Sequence, residues 1–266
     1  MLKDEKNTAC GSCELGAKAS FQRFKLNTTG FDFTLALAGN PNTGKTTLFN
    51  RLTGLRMHVG NWPGKTVTQA VGAFRFGSHK YRLVDLPGAY SLLSRSADEE
   101  VARDFILFGK PDATVIVCDA TALERNLNLT LQILEITGRC VIALNLMDEA
   151  ERRGIDLDVR SLARDLGVRV LPISARSGKG VPELLQAVGE VASEQGDVPP
   201  PRSLKLAPEV KKAVEPIEAA LRELHPGLLN ARWVALRLLE GDESVIAEIR
   251  AGTLGSAQHG IGGLVA

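Results

Sequence analysis

Residues Gly39-Asn40-Pro41-Asn42-Thr43-Gly44-Lys45-Thr46 fit the pattern G-x-x-x-x-G-K-[ST], and their surroundings decide how it is read. Ahead of them Phe33 opens the apolar run FTLALAG; behind them KTTLFNRLTG has the make-up of a helix that Gly54 ends. Strand, glycine-rich loop and helix is the setting in which backbone N–H groups close around phosphate oxygens. Lys45 then brings a point charge to the β- and γ-phosphates, Thr46 a hydroxyl to magnesium, and the helix N-terminus a favourable dipole. A glycine-rich turn that merely happens to carry Lys-Thr leaves that setting unexplained.

Outward from the loop, runs at 67–76 and 80–86 flank Gly77-Ser78 and predict a hairpin. Apolar runs at 113–118, 140–146 and 168–174 alternate with helical patterns near 97–109, 121–137 and 158–166, and a last helix is expected from Pro182 to about Ser193. The expectation is an α/β fold: a mostly parallel six-stranded sheet, helices on both faces, one antiparallel edge. Residues 1–32 are polar and irregular and are taken as an extension, 33–195 as the α/β domain, and 196–204, with Pro199-Pro200-Pro201, as a stiff linker. Residues 205–252 predict a small all-α domain with helices at 207–224, 231–239 and 243–250, the first kinked or split at Pro216. The glycine-rich tail, 253–266, is expected to fray.

Composition narrows the classes. At 266 residues the chain is worth about 1.8 average domains, and 44% hydrophobic with 24% charged residues excludes a disordered or fibrous chain. With 32 Lys and Arg against 31 Asp and Glu, no global field draws it to nucleic acid or anionic lipid. Cys118 and Cys140 fall in apolar runs, implying a reducing compartment; with no signal peptide and no long apolar stretch, the expected location is cytoplasmic.

Three further boxes end predicted strands. Asp85-Leu86-Pro87-Gly88 offers a carboxylate to the magnesium shell and a glycine N–H to the γ-phosphate. In Asn145-Leu146-Met147-Asp148 the last carboxylate suits the N1–H and exocyclic amine of guanine, a donor pair adenine lacks. Ser174-Ala175-Arg176 suits backbone contact with the base O6. Four boxes in order, all at C-terminal strand ends, fit the rule for ligand binding in open α/β sheets. This constellation resembles the Ras-like, translation-factor-related P-loop GTPases over residues 33 to 194. Two departures stand out. Leu146 occupies a place usually held by Lys, and Ala89 follows the box where many GTPases carry a water-orienting Gln, so intrinsic hydrolysis should be slow.

A narrower resemblance rests on NWPGKTV (61–67), DLPGAYSL, LERNLNLTLQILE, NLMDEAERRGI and RWVALRLLEGD. Together they look like the cytoplasmic N-terminal region of the bacterial ferrous iron transport protein B family, where a G domain and a helical domain precede a polytopic membrane region. The resemblance implies a GTP hydrolase, potassium-stimulated, that regulates or drives ferrous iron uptake at the inner face of the bacterial membrane. It also implies that this chain is the soluble portion, without its membrane partner. The nucleotide-contacting set so implied is Gly39, Asn40, Asn42, Thr43, Gly44, Lys45, Thr46 and Thr47; Gly64, Lys65 and Thr66 of switch I; Asp85 and Gly88; Asn145, Leu146 and Asp148; and Ser174, Ala175 and Arg176. Catalysis falls to Asn42, Lys45, Thr66 and Gly88, magnesium to Thr46, Thr66 and Asp85, and potassium to Asn42 with backbone carbonyls around Gly60 to Trp62.

Other residues carry weaker signals. Cys10 and Cys13 lack a second ligand pair for a metal, His58 is a lone loop histidine, and Trp62 reads equally as a switch anchor or as packing. The alternative function is an RNA- or ribosome-associated assembly GTPase. Residues 200–266 hold eight basic and eight acidic residues, where an RNA-binding appendage should be basic, so no nucleic-acid partner is expected. Homo-oligomerisation is left open.

Overall fold

β1 (Phe33–Gly39) is buried along nearly its whole length, and its alternating side chains feed two different cores. In this computed structural model, which describes residues 24, 26, 29–55, 57–93, 96–193, 206–225, 228 and 230–250 (Ser244 and Glu248 by backbone only), β1 lies at the centre of a seven-stranded sheet. The strands in chain order are β2 (Met57–Asn61), β3 (Thr68–Phe76), β4 (His79–Asp85), β5 (Ala113–Asp119), β6 (Cys140–Asn145) and β7 (Arg169–Pro172). Their spatial order is β2-β3-β4-β1-β5-β6-β7, with Leu35 of β1 facing Leu83 on one side and Ala113 on the other. β4 through β7 run parallel with β1, while β2 and β3 form the antiparallel edge.

All six expected strands are present. The seventh, β2, falls in the stretch read as a switch loop. Its residues MHVGN show no apolar alternation and are mostly exposed, so only the ladder to β3, with Gly60 opposite Gln69 and Asn61 opposite Thr68, makes them a strand. Tertiary pairing decides this element where propensity does not.

Helices cover both faces. Leu35 and Leu37 pack with Leu48 and Phe49 of α1 (Lys45–Thr53), on the face closed by α6 (Val181–Ala192). Ala36 and Ala38 face the opposite core, with Phe105 of α2 (Ala97–Phe108) and Ile133 of α3 (Leu123–Ile136). Two short helices, α4 (Met147–Arg152) and α5 (Val159–Leu166), lie between β6 and β7 in the chain, and α4 is a short helix that the sequence reading leaves unassigned. The free thiols of Cys118 and Cys140 are buried, and burial pushes the Cys118 thiol up to about 11.

The second core also takes in Phe24 and Leu26, from the segment read as an extension. Phe24 meets Trp62 and Phe105 edge-on at 5.8 and 5.1 Å, and Trp62 meets Phe105 at 5.4 Å. Trp62, 2% exposed, is therefore packing and anchor at once: it pins the end of β2 to α2. Cys10 and Cys13 lie outside the described residues.

Beyond the linker come α7 (Pro208–Leu224), α8 (Ala231–Leu239) and α9 (Glu243–Arg250). Of the expected kink or split at Pro216, the split does not occur; α7 is one helix that runs through it. An interior proline costs about 3 kcal/mol, and burial of Val214 and Leu221 in the shared core returns roughly 1.5 to 3 kcal/mol for each side chain. Trp233 and Val234 of α8 join the same core, Asn230 donates to the Glu135 carbonyl at the end of α3, and Asp242 lies 3.5 Å from Arg103 of α2. The tail, 251–266, lies outside the described residues.

Candidate functional site

Because β1, β4, β6 and β7 are parallel, the segments that follow Gly39, Asp85, Asn145 and Pro172 emerge along one sheet edge. The glycine-rich loop is shaped by left-handed backbone at Asn42 (φ 66°) and Gly44 (φ 82°), conformations that Asn and Gly adopt at least cost. A Cβ at position 44 would also stand 2.3 Å from Asn145 Nδ2. Buried Thr43 donates its hydroxyl to the Asn40 carbonyl at 2.9 Å, and Asn40 Nδ2 donates to the Arg125 carbonyl at 3.4 Å. α1 begins after Gly44 with neither a side-chain cap nor an acidic residue in its first turn. Its first N–H groups and dipole are thus available to an anion.

Lys45, the first residue of α1, reaches across to β4. Its Nζ donates to the Leu86 carbonyl at 2.7 Å and pairs with Asp85 Oδ1. Burial pushes the Asp85 carboxyl up, and Lys45 pulls it back. Leu86 N–H donates to the Leu37 carbonyl at 3.0 Å and Ala89 N–H to the Gly39 carbonyl at 3.4 Å. At Gly88 a Cβ would press on Pro41 at 3.3 Å, so the turn lies tightly against the loop and a larger residue would push Pro41 back by a few tenths of an ångström. A desolvated Asp85 carboxylate and the exposed hydroxyl of Thr46, both at this edge, offer oxygen donors, which suit a hard divalent cation. Thr47 is exposed on the next position of α1.

Asn145 joins the loop to the third and fourth boxes. Only 1% exposed, it donates from Nδ2 to the Thr43 carbonyl at 2.8 Å and accepts the Ala175 N–H on Oδ1 at 2.8 Å. Leu146 takes a left-handed φ of 62° and turns the chain into α4, and Met147 N–H reaches the Ile173 carbonyl at 3.3 Å. Asp148 on α4 is half-exposed, with Oδ2 3.9 Å from Arg152. Ser174 and Ala175 are buried, and Arg176 is exposed. Sequence reasoning misses Arg51, whose Nε and Nη2 donate to the Ala175 and Arg176 carbonyls at 2.6 Å each. A basic residue in the last turn of α1 is its only signal, and that is ordinary helix chemistry.

Switch I stands apart. Trp62 N–H donates to the Val67 carbonyl and Lys65 N–H to the Trp62 carbonyl, closing a turn that holds Gly64 and exposed Thr66. Lys65 Nζ lies 2.5 Å from Glu100 of α2. Among the described residues no hydrogen bond ties Thr66 to Thr46 or Asp85.

The sequence pattern of the family described as "Ferrous iron transport protein B" matches residues 33–188, and that of the "FeoB cytosolic helical domain" matches residues 207–259. The chain belongs to the ferrous iron transport protein B family. It is 41% identical over 214 residues to the Fe(2+) transporter FeoB of Salmonella typhimurium and 40% identical over 216 residues to that of Escherichia coli K12, in each case over 79% of this chain. It spans 27% of the length of those FeoB relatives. Among solved structures, the cytosolic domain of L. pneumophila FeoB is 39% identical with a TM-score of 0.73, covering 83% of this chain and 85% of that one. The GMPPNP form of the T. maritima FeoB cytosolic domain is 37% identical with a TM-score of 0.75, covering 83% and 86%. Among the described residues no helix is long and apolar enough to cross a membrane.

Asn145 supplies the prediction. Asn145→Ala leaves the Thr43 carbonyl and the Ala175 N–H buried without partners, so it should cost about 1 to 3 kcal/mol of stability and speed amide hydrogen exchange at Ala175. Urea denaturation and exchange mass spectrometry check the two effects.

Proposed function

We propose that this chain binds magnesium and a guanine nucleotide, hydrolyses GTP slowly, and couples that cycle to ferrous iron uptake by the membrane region of a longer FeoB chain. The single observation that carries the reading is the convergence of four boxes through Lys45 and Asn145 on one sheet edge. Support for guanine comes from Asp148, at the start of a helix whose entry is set by Leu146, three residues after the Asn145 that holds the Ala175 backbone. The GDP and GMPPNP forms of the T. maritima relative lend further support.

The loop amides and Lys45 bind the β- and γ-phosphates; to do so Lys45 exchanges its hold on Asp85. Thr46, Thr66 and Asp85 would hold the magnesium ion, which neutralises charge on the phosphates. Asp85, once freed of Lys45, is a buried carboxylate in want of a cation. Gly88 offers its N–H toward the γ-phosphate. Ala89 is buried and has no side chain that could orient water, which agrees with slow turnover. Asn42, exposed at the loop's left-handed turn, would hold potassium through its amide oxygen, and such an ion would supply positive charge beside the phosphates. The helical domain would sense the nucleotide through α2, which carries both the Glu100 partner of Lys65 and the Arg103 partner of Asp242.

Two experiments test this. Asp148→Asn should weaken GTP binding by about 30- to 150-fold, or about 2 to 3 kcal/mol, and gain xanthosine triphosphate, measured with fluorescent analogues; equal binding of ATP and GTP by the unaltered chain would remove the base assignment. Replacing sodium by potassium should raise GTP turnover at least about tenfold, a barrier change of about 1.4 kcal/mol, and Asn42→Ala should remove most of that gain while retaining magnesium-GTP binding.

A further inference from the structure

Away from the nucleotide edge, at the antiparallel end of the sheet, lies a cavity of about 660 Å³ among β2, β3, β4 and the segment that precedes β1. Leu26, Phe31, Met57, Val59, Val71 and Ala73 give it an apolar lining. Its size is that of a site for a small organic molecule. Arg82 is the exception in the lining. On β4 it stands opposite Ala73, two residues before fully buried Val84, at a place where strand alternation calls for an apolar side chain.

Arg82 is 3% exposed, and its buried Nη1 has no hydrogen-bond partner among the described residues. Its described contact is with the Phe31 ring, 4.3 Å from the guanidinium carbon, and the same ring carries Lys80 Nζ at 4.5 Å. Asp32, the adjacent acid, accepts the Lys80 backbone N–H at 2.7 Å. No carboxylate is among the described lining residues, which include Arg82 and His58. Burial penalises the charge and lowers the guanidinium pKa, yet arginine stays protonated in proteins. The Phe31 ring offsets only part of the cost of burying this charge, and the arrangement makes sense if a counter-anion completes it.

We propose that this cavity binds a small amphiphilic carboxylate, its anionic end on the Arg82 guanidinium and its apolar body along Val71, Val59 and Leu26. A carboxylate fits because one planar guanidinium fork matches its two oxygens, and an aliphatic body fits because the rest of the wall offers few polar groups. β2 forms one side of the cavity and leads through Trp62 into the turn that carries Thr66. A molecule seated there braces the β2–β3 ladder.

Calorimetric titration of the full chain with decanoate, decanol and acetate, each below its aggregation threshold, tests the site. Decanoate is expected to bind at least about tenfold more tightly than decanol, as a charge-assisted contact of about 1.4 kcal/mol requires, and acetate to give no saturable heat. Arg82→Met, which replaces an unpaired buried charge by an apolar chain of similar reach, should bring decanoate down to the affinity of decanol. Val71→Trp, which fills the cavity and keeps Arg82, should abolish both. No saturable decanoate binding, equal binding of decanoate and decanol, or decanoate binding unchanged by Val71→Trp or by a folded Arg82→Met protein would overturn the proposal. If Arg82→Met does not fold, the comparison of decanoate with decanol and the Val71→Trp protein still decide it.

Discussion

One buried amide holds the nucleotide edge of this protein together. Asn145 bonds the carbonyl before Gly44 with one end and the Ala175 N–H with the other, so the phosphate loop and the base loop cannot move independently. The constraint explains residues on both sides of it. Position 44 must be glycine because the amide fills the space of a side chain, and Arg51 is placed to hold the outer carbonyls of the loop whose inner N–H Asn145 holds. In an interior of low dielectric such a shared group is worth more than its separate bonds, since breaking one leaves the other misaligned and unsolvated.

A second contact sets the resting state of the edge. Lys45 is held by Asp85 and the Leu86 carbonyl, and this pair satisfies two charged groups that would otherwise be buried alone. On the proposed function, phosphate and a divalent cation would replace the two halves of the pair with partners of the same sign, which would make nucleotide entry an exchange of ion pairs without exposing a bare charge. From the same region Lys65 and Glu100 connect the switch turn to α2, and Arg103 and Asp242 connect α2 to the helical domain.

Much of this was legible in the sequence because it is local. The apolar runs that became β1, β5 and β6 are buried on both faces, so the pattern of the strand is nearly the pattern of the core. Asp85 and Asn145 close parallel strands, and Gly44 and Lys45 come at the end of the short loop that leaves β1, so their places follow from local sequence. What could not be read depends on partners distant in the chain. β2 is a strand only through β3, and Phe24 is core only because Trp62 and Phe105 lie against it. Pro216 was read as a kink or split from its own chemistry, and the helix continues through it with Val214 and Leu221 packed in the core. Arg51 and Arg82 have no motif at all. Their meaning lies in the carbonyls one of them reaches and in the lack, among the described residues, of a partner for the other's Nη1.

The central claim is that the edge organised by Lys45 and Asn145 is a phosphate-binding site for a guanine nucleotide. The most direct measurement is the affinity of a fluorescent GTP analogue, in the presence of magnesium, for the unaltered chain and for Lys45→Ala. The account predicts saturable binding by the first and loss of useful affinity in the second, with the fold retained by circular dichroism. Undiminished affinity in a folded Lys45→Ala protein would contradict it.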